Sequence, residues 1–245
     1  MFRGVAPDIC AEAVRSAVDR QVRRREVFFR QGDPATEGGV LFAGLGKITQ
    51  TAACGSEVIL RLVSPGEIMT LQTTGSHPTS AEALEPSHGL FWSRPVLEGL
   101  FDRHPILHRN ALLIMTERMR VLEESFGELA TERVALRLAR ALLRAARQIG
   151  RPSEHGVVVG LSREDLAHMT GTTMFTVSRQ LSAWEADGVV DNRRQAVVIR
   201  DPGALNRISA GGAELDEASV ESKAVRGSSR ATPFLAAPKL GFALP

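Results

Sequence analysis

The side chains that offer chemistry in this sequence are gathered late in the chain. Thr173, Met174, Phe175, Thr176, Ser178, Arg179 and Ser182 fall along a helix expected to run from about 173 to 186, and Arg193 and Arg194 sit in a turn beyond it. They are hydrogen-bond donors and apolar groups on a polar outer face, equipment for contacting phosphates and base edges. Bond-breaking machinery is missing: there is no nucleophile elbow and no phosphate-binding loop. A metal enzyme built on a small β-roll would need converging His and carboxylate ligands. His77 and His88, each in turn-like surroundings, do not supply them. The expectation is a protein that is not an enzyme and holds no metal.

The neighbouring residues are suited to position that face. Ser162 with Asp165 three residues on reads as a reciprocal helix cap. A first helix over about 163–169 would turn Leu166, Ala167 and Met169 inward. Gly171 supplies the left-handed turn that follows, and Thr172 or Thr173 can cap the second helix. Val177, Leu181 and Trp184 then form one apolar stripe at i, i+4, i+7. An ordinary αα-hairpin would show the same features, but the flanks argue otherwise. The apolar pairs around Asp191-Asn192-Arg193-Arg194-Gln195 read as a β-hairpin, and 157–160 as a further strand. Strand, helix, helix and hairpin make a winged helix-turn-helix with a basic wing.

Upstream, the 245 residues divide by pattern. Residues 9–25 suggest one or two short helices through Val14, Ala17, Val18 and Val22. From 26 to 92, short apolar runs alternate with turns such as Gln31-Gly32-Asp33-Pro34, the mark of an antiparallel roll. Over 102–130 the residues Leu112, Met115, Met119, Leu122, Phe126 and Leu129 step by 3 and 4, a coiled-coil seam best used against a second copy of the chain. His108 extends the seam, and Gly127 marks a break or hinge near its end. A helix over 130–149 carries Arg133, Arg137, Arg140, Arg144 and Arg147, and with Arg151 just beyond it they give a local positive field that outweighs the net charge of +2. With only Cys10 and Cys54, disulfide frameworks and cysteine-ligated clusters are disfavoured. No signal peptide and no bilayer-spanning run is seen, which places the chain in the cytoplasm without a membrane partner.

The expected architecture is therefore α+β: a jelly-roll-like antiparallel β-roll over 1–101, a dimerisation helix over 102–130, and a winged helix-turn-helix over 131–209. A Gly-, Ala-, Ser- and Pro-rich tail over 210–245 reads as disordered.

The wording Thr176-Val177-Ser178-Arg179, followed by Leu181-Ser182-Ala183-Trp184-Glu185 and Gly188, resembles the Crp/Fnr family of bacterial transcription regulators. The resemblance covers roughly 27–208. It implies a homodimer on a twofold-symmetric double-stranded DNA operator, with RNA polymerase as a further partner. It also implies that Arg179 donates to guanine O6 and N7, while Ser178 can touch a base or a phosphate. The family's acidic reader is replaced by Phe175, which cannot accept from cytosine and so predicts a different base pair there. An effector is implied in the roll, near Gly66, Glu67, Leu71, Thr79 and Ser80. Members that bind a cyclic nucleotide carry Gly-Glu-Leu and Arg-Ser where this chain has Thr70-Leu71-Gln72 and Thr79-Ser80. A nucleotide phosphate would lack its counter-charge, so cyclic nucleotide is disfavoured, as is an iron–sulfur cluster. Similarity to the branch that responds to nitrogen oxides keeps haem open, with His77 the residue to test.

Overall fold

Short apolar runs broken by turns satisfy their backbone groups by antiparallel pairing. In the computed structural model of the chain, which describes residues 1–211, they form two four-stranded sheets. After α1 (Pro7–Arg15) come β1 (Val18–Val22), β2 (Val27–Phe29), β3 (Glu37–Ala43), β4 (Gly46–Thr51), β5 (Glu57–Val63), β6 (Ile68–Thr70), β7 (Ser80–Ala83) and β8 (Ser87–Ser93). The strand orders are β1-β8-β3-β6 and β2-β7-β4-β5. Leu41, Met69 and Phe91 of the first sheet bury against Phe28, Phe29, Ile48, Val63 and Ala81 of the second. Each such side chain withdrawn from water contributes about 1.5–3 kcal/mol before conformational entropy is counted.

Helices α2 (Arg94–Arg103) and α3 (Pro105–Thr131) follow. Leu97, Leu100, Leu107 and Ala111 pack with Trp92 of β8 and Ala13 of α1, and the Trp92 indole N–H donates to the Ala13 carbonyl at 2.7 Å. Three expectations change here. Residues 9–25 are helical only as far as Arg15, and Val18–Val22 is an edge strand paired with β8. The long helix begins at Pro105 instead of 102, because proline at the first helical position restarts the chain after α2. Gly127 does not interrupt it: α3 continues to Thr131.

The last third folds as α4 (Val134–Ile149), β9 (Arg151–Ser153), β10 (Gly156–Val159), α5 (Arg163–Thr170), α6 (Met174–Ala186), β11 (Val190–Arg193), β12 (Ala196–Ile199) and α7 (Pro202–Ser209). The sheet order is β11-β12-β10-β9, so β9 adds a fourth strand to the hairpin and the single strand read from the sequence. Leu138, Leu142, Leu161, Leu166, Val177, Leu181, Trp184 and Ile199 form one core, which Leu62 of β5 also enters. Among the described residues no helix is long and apolar enough to cross a membrane. The expected disordered tail lies, from 212 onward, outside the described residues.

Candidate nucleic-acid interface

The local rules that start and stop α5 and α6 set the aim of the outer face. Ser162 caps α5 reciprocally: its hydroxyl accepts from the Asp165 amide at 3.1 Å, and the Asp165 carboxylate accepts from the Ser162 amide at 3.0 Å. Gly171 ends α5 at φ 59°, ψ 43°, a left-handed conformation costly for any residue with a Cβ. Thr173, not Thr172, caps α6, its hydroxyl accepting from the Thr176 amide at 3.2 Å. Replacing Ser162 by alanine should cost about 1 kcal/mol, read as a lower denaturation midpoint with an unchanged slope.

Val177, Leu181 and Trp184 anchor the inner side of α6 in the core. On the other side Thr173, Met174, Phe175 and Arg179 are exposed, with Ser178 and Thr176 half-buried beside them. Phe175 is 75% exposed, far more than an aromatic ring left to itself in water would favour. Arg179 has no hydrogen-bond or ion-pair partner among the described residues, so its five donors are available. The β11–β12 wing presents Arg193 and Arg194 to solvent; Arg193 lies 3.7 Å from Asp191. A brace that the sequence reading missed fixes wing to helix. Glu185 accepts from the Asn192 amide at 2.8 Å and its side-chain NH₂ at 3.0 Å, and these bonds hold the Glu185 carboxyl below the usual carboxylate range.

The arginine series of α4 is corrected. Arg144 pairs with Glu128 at 2.7 Å, Arg140 with Glu132 at 2.5 Å, and Arg137 donates to the carbonyls of Glu132 and Thr170. These three clamp the end of α3 to α4 and add little to an outward positive field. A second group of charges joins roll to winged domain. The Lys47 ammonium of β4 lies within 3.6 Å of Glu57, Glu82 and Asp165, so the α5 cap residue also serves as an ionic partner of the roll. Burial works against the charged lysine, but the three carboxylates outweigh it and raise its pKa.

On α3, Leu112, Met119, Leu122, Phe126 and Leu129 are all half exposed or more, Phe126 at 71%. Met115 is half-buried against its own roll, and His108 stacks on Phe101 at 5.2 Å. In the roll, Glu67 and Thr79 line a cavity of about 710 Å³ against α3. Gly66 is exposed in a turn outside its lining, Leu71 packs on the Trp92 cluster, and the Ser80 hydroxyl accepts from the Gln31 amide at 2.9 Å. The positions of Leu71 and Ser80, which the family resemblance assigns to a nucleotide's ribose and phosphate, thus carry an apolar and an already bonded side chain, and neither offers a counter-charge. Nor does His77 suit haem. It is 6% exposed, stacked on Phe29 at 4.1 Å, and borders a cavity of only about 170 Å³, below the roughly 300 Å³ at which ligand pockets begin. Burial pushes its pKa down and keeps the imidazole neutral. His88 lies within strand β8, not in a turn. Among the described residues no group of three or more His, Cys, Asp or Glu is placed to hold a metal ion.

Comparison with known proteins agrees with this layout. Residues 19–104 match the family model described as a cyclic nucleotide-binding domain, and 136–208 the Crp-like helix-turn-helix domain. Together these segments take up well over half of the chain. A cyclic AMP receptor protein of Thermus thermophilus is 29% identical over 86% of this chain and 97% of its own length. A CRP-like cAMP-activated global transcriptional regulator of Mycobacterium tuberculosis is 24% identical over 84% and 95%. The fold is shared with a CRP-family regulator of Thermus thermophilus (TM-score 0.70, 24% identity, 78% of this chain and 96% of that one). It is shared too with the c-di-GMP responsive global regulator CLP of Xanthomonas campestris (TM-score 0.71, 20% identity, 80% and 100%). The relatives are regulators and not enzymes. A cyclic-nucleotide-binding-type roll joined to a Crp-like helix-turn-helix DNA-binding domain makes this chain a member of the Crp/Fnr family of transcription regulators.

Proposed function

We propose that the chain acts as an effector-modulated homodimer on a twofold-symmetric operator, each α6 lying in a major groove with Arg179 bidentate on a guanine. The observation that carries this reading is the exposed guanidinium of Arg179, without a partner among the described residues, on a helix whose opposite side is buried. Ser178, Thr173 and Thr176 would contact sugar–phosphate or base edges. Met174 and Phe175 would meet a thymine methyl, and Arg193 and Arg194 of the wing would meet phosphates. The apolar stripe Leu112–Leu129 of α3, with Met115 at its edge, is the surface offered to the second copy. An effector in the roll cavity touches α3 through Leu113, Ile114, Val121 and Leu122, so its occupancy can bias how two such helices pack and re-aim both α6 helices. RNA polymerase is the partner through which the bound dimer would act.

The test is duplex binding as salt is raised. Phosphate neutralisation releases counterions, so affinity should fall by about a thousandfold or more between 50 and 200 mM salt for roughly six to ten phosphate contacts. A flat profile would mean that the winged domain binds another protein instead.

A further inference from the structure

The cavity between β5 and α3 brings together two cations from elements far apart in sequence. Arg61 enters from β5 and Arg118 from α3, and both line the space beneath the roll. Neither has a carboxylate within ion-pair distance among the described residues. Arg61 donates instead to the carbonyls of Ile68 and Met69 at 3.0 and 3.1 Å, and Arg118 donates to the same Ile68 carbonyl. Two guanidiniums held against one carbonyl, partly withdrawn from water, repel each other and are under-compensated. Burial first, and then the neighbouring Arg118, lowers the Arg61 pKa to about 9, and burial likewise lowers that of Arg118.

The remaining polar lining does not remove the imbalance. Glu67 is the acid that favours both arginines, yet its carboxylate already accepts from the Ser64 amide at 2.9 Å and from Gln148 at 3.3 Å. Glu117 is engaged by Arg120 on the solvent side of α3. Arg3 adds a further cation at the rim. With Glu67 set against Arg61 and Arg118, and Arg3 beside them, the lining is left net positive, which suits an anion. The rest of the wall is apolar: Leu60 and Leu62 from β5, and Leu113, Ile114, Val121 and Leu122 from α3.

We infer that this cavity binds a small amphipathic carboxylate, its head group bridging Arg61 and Arg118 and its apolar body lying along α3. A bridging carboxylate supplies the missing counter-charge and accepts from both guanidinium forks at once. The size, about 710 Å³, falls within the range of small-molecule sites. The inference rests on the effector reading above and names the chemical class of that effector. Leu122 links the two, since it lines the cavity and also belongs to the exposed stripe of α3.

Titration calorimetry on the full chain, without DNA, tests it, so that failure here leaves the DNA-binding reading standing. Hexanoate and its neutral analogue hexanamide are the probes. Hexanoate is expected to bind in the roughly millimolar range its size allows, with hexanamide at least about tenfold weaker. Arg61→Gln and Arg118→Gln should each lower hexanoate affinity about tenfold or more, while Arg94→Gln, on the exposed side of α2 away from the cavity, leaves it unchanged. Should a glutamine variant fail to fold, Arg61→Lys and Arg118→Lys give the same readout, keeping the charge but removing the fork. Equal binding of the two probes, no binding of hexanoate, or full affinity in both arginine variants would overturn the inference.

Discussion

Replacing Arg179 with alanine should abolish sequence-specific duplex binding while leaving weak, salt-sensitive association in place. A bidentate arginine–guanine pair is worth about 1–3 kcal/mol of discrimination, and a dimer makes it twice, so operator affinity should drop by between about thirtyfold and about twenty-thousandfold. The fold should not suffer, because Arg179 is exposed and has no partner among the described residues. Arg179→Lys sharpens the test. An ammonium contacts a phosphate about as well as a guanidinium does, but cannot present two parallel donors to O6 and N7. In a gel-shift comparison lysine should therefore rescue little. Full rescue would reassign Arg179 to the backbone and leave base reading elsewhere on α6.

If the chain pairs along α3 as proposed, Phe126→Glu should convert that dimer to monomers. Phe126 is 71% exposed in the single chain, so glutamate costs the monomer nothing, whereas pairing two copies along α3 would bury an uncompensated carboxylate on each side. The expected penalty, at least about 3–5 kcal/mol, raises the dimer dissociation constant some hundred- to several-thousandfold. Sedimentation velocity at micromolar protein should then show the monomer mass, and operator affinity should fall with it. Retention of the dimer would show that copies meet through a different face.

The winged domain was legible because its determinants are local. A Ser–Asp cap, a glycine at the turn and an i, i+4, i+7 stripe are all readable within a few residues, and each is present in the folded chain. The roll could be recognised as antiparallel from its turns, but β1 could not. Val14, Ala17, Val18 and Val22 also satisfy a helical spacing, and only pairing with β8 decides for strand. The function of an arginine was the least legible feature. Arg144 and Arg179 look alike in the sequence, yet one is tied to Glu128 and the other stands free. The same holds for Arg61 and Arg118, which converge only once β5 and α3 are packed together. Lys47 and Asp165 likewise show no sign in the sequence that they will meet.

Selection of binding sites from a randomised duplex pool tests the central claim most directly. The selected consensus should have twofold symmetry, its half-sites about 34–36 Å apart and each with a guanine whose enrichment vanishes for the Arg179→Ala chain. Unenriched pools, or an asymmetric site retained by Arg179→Ala, would contradict it.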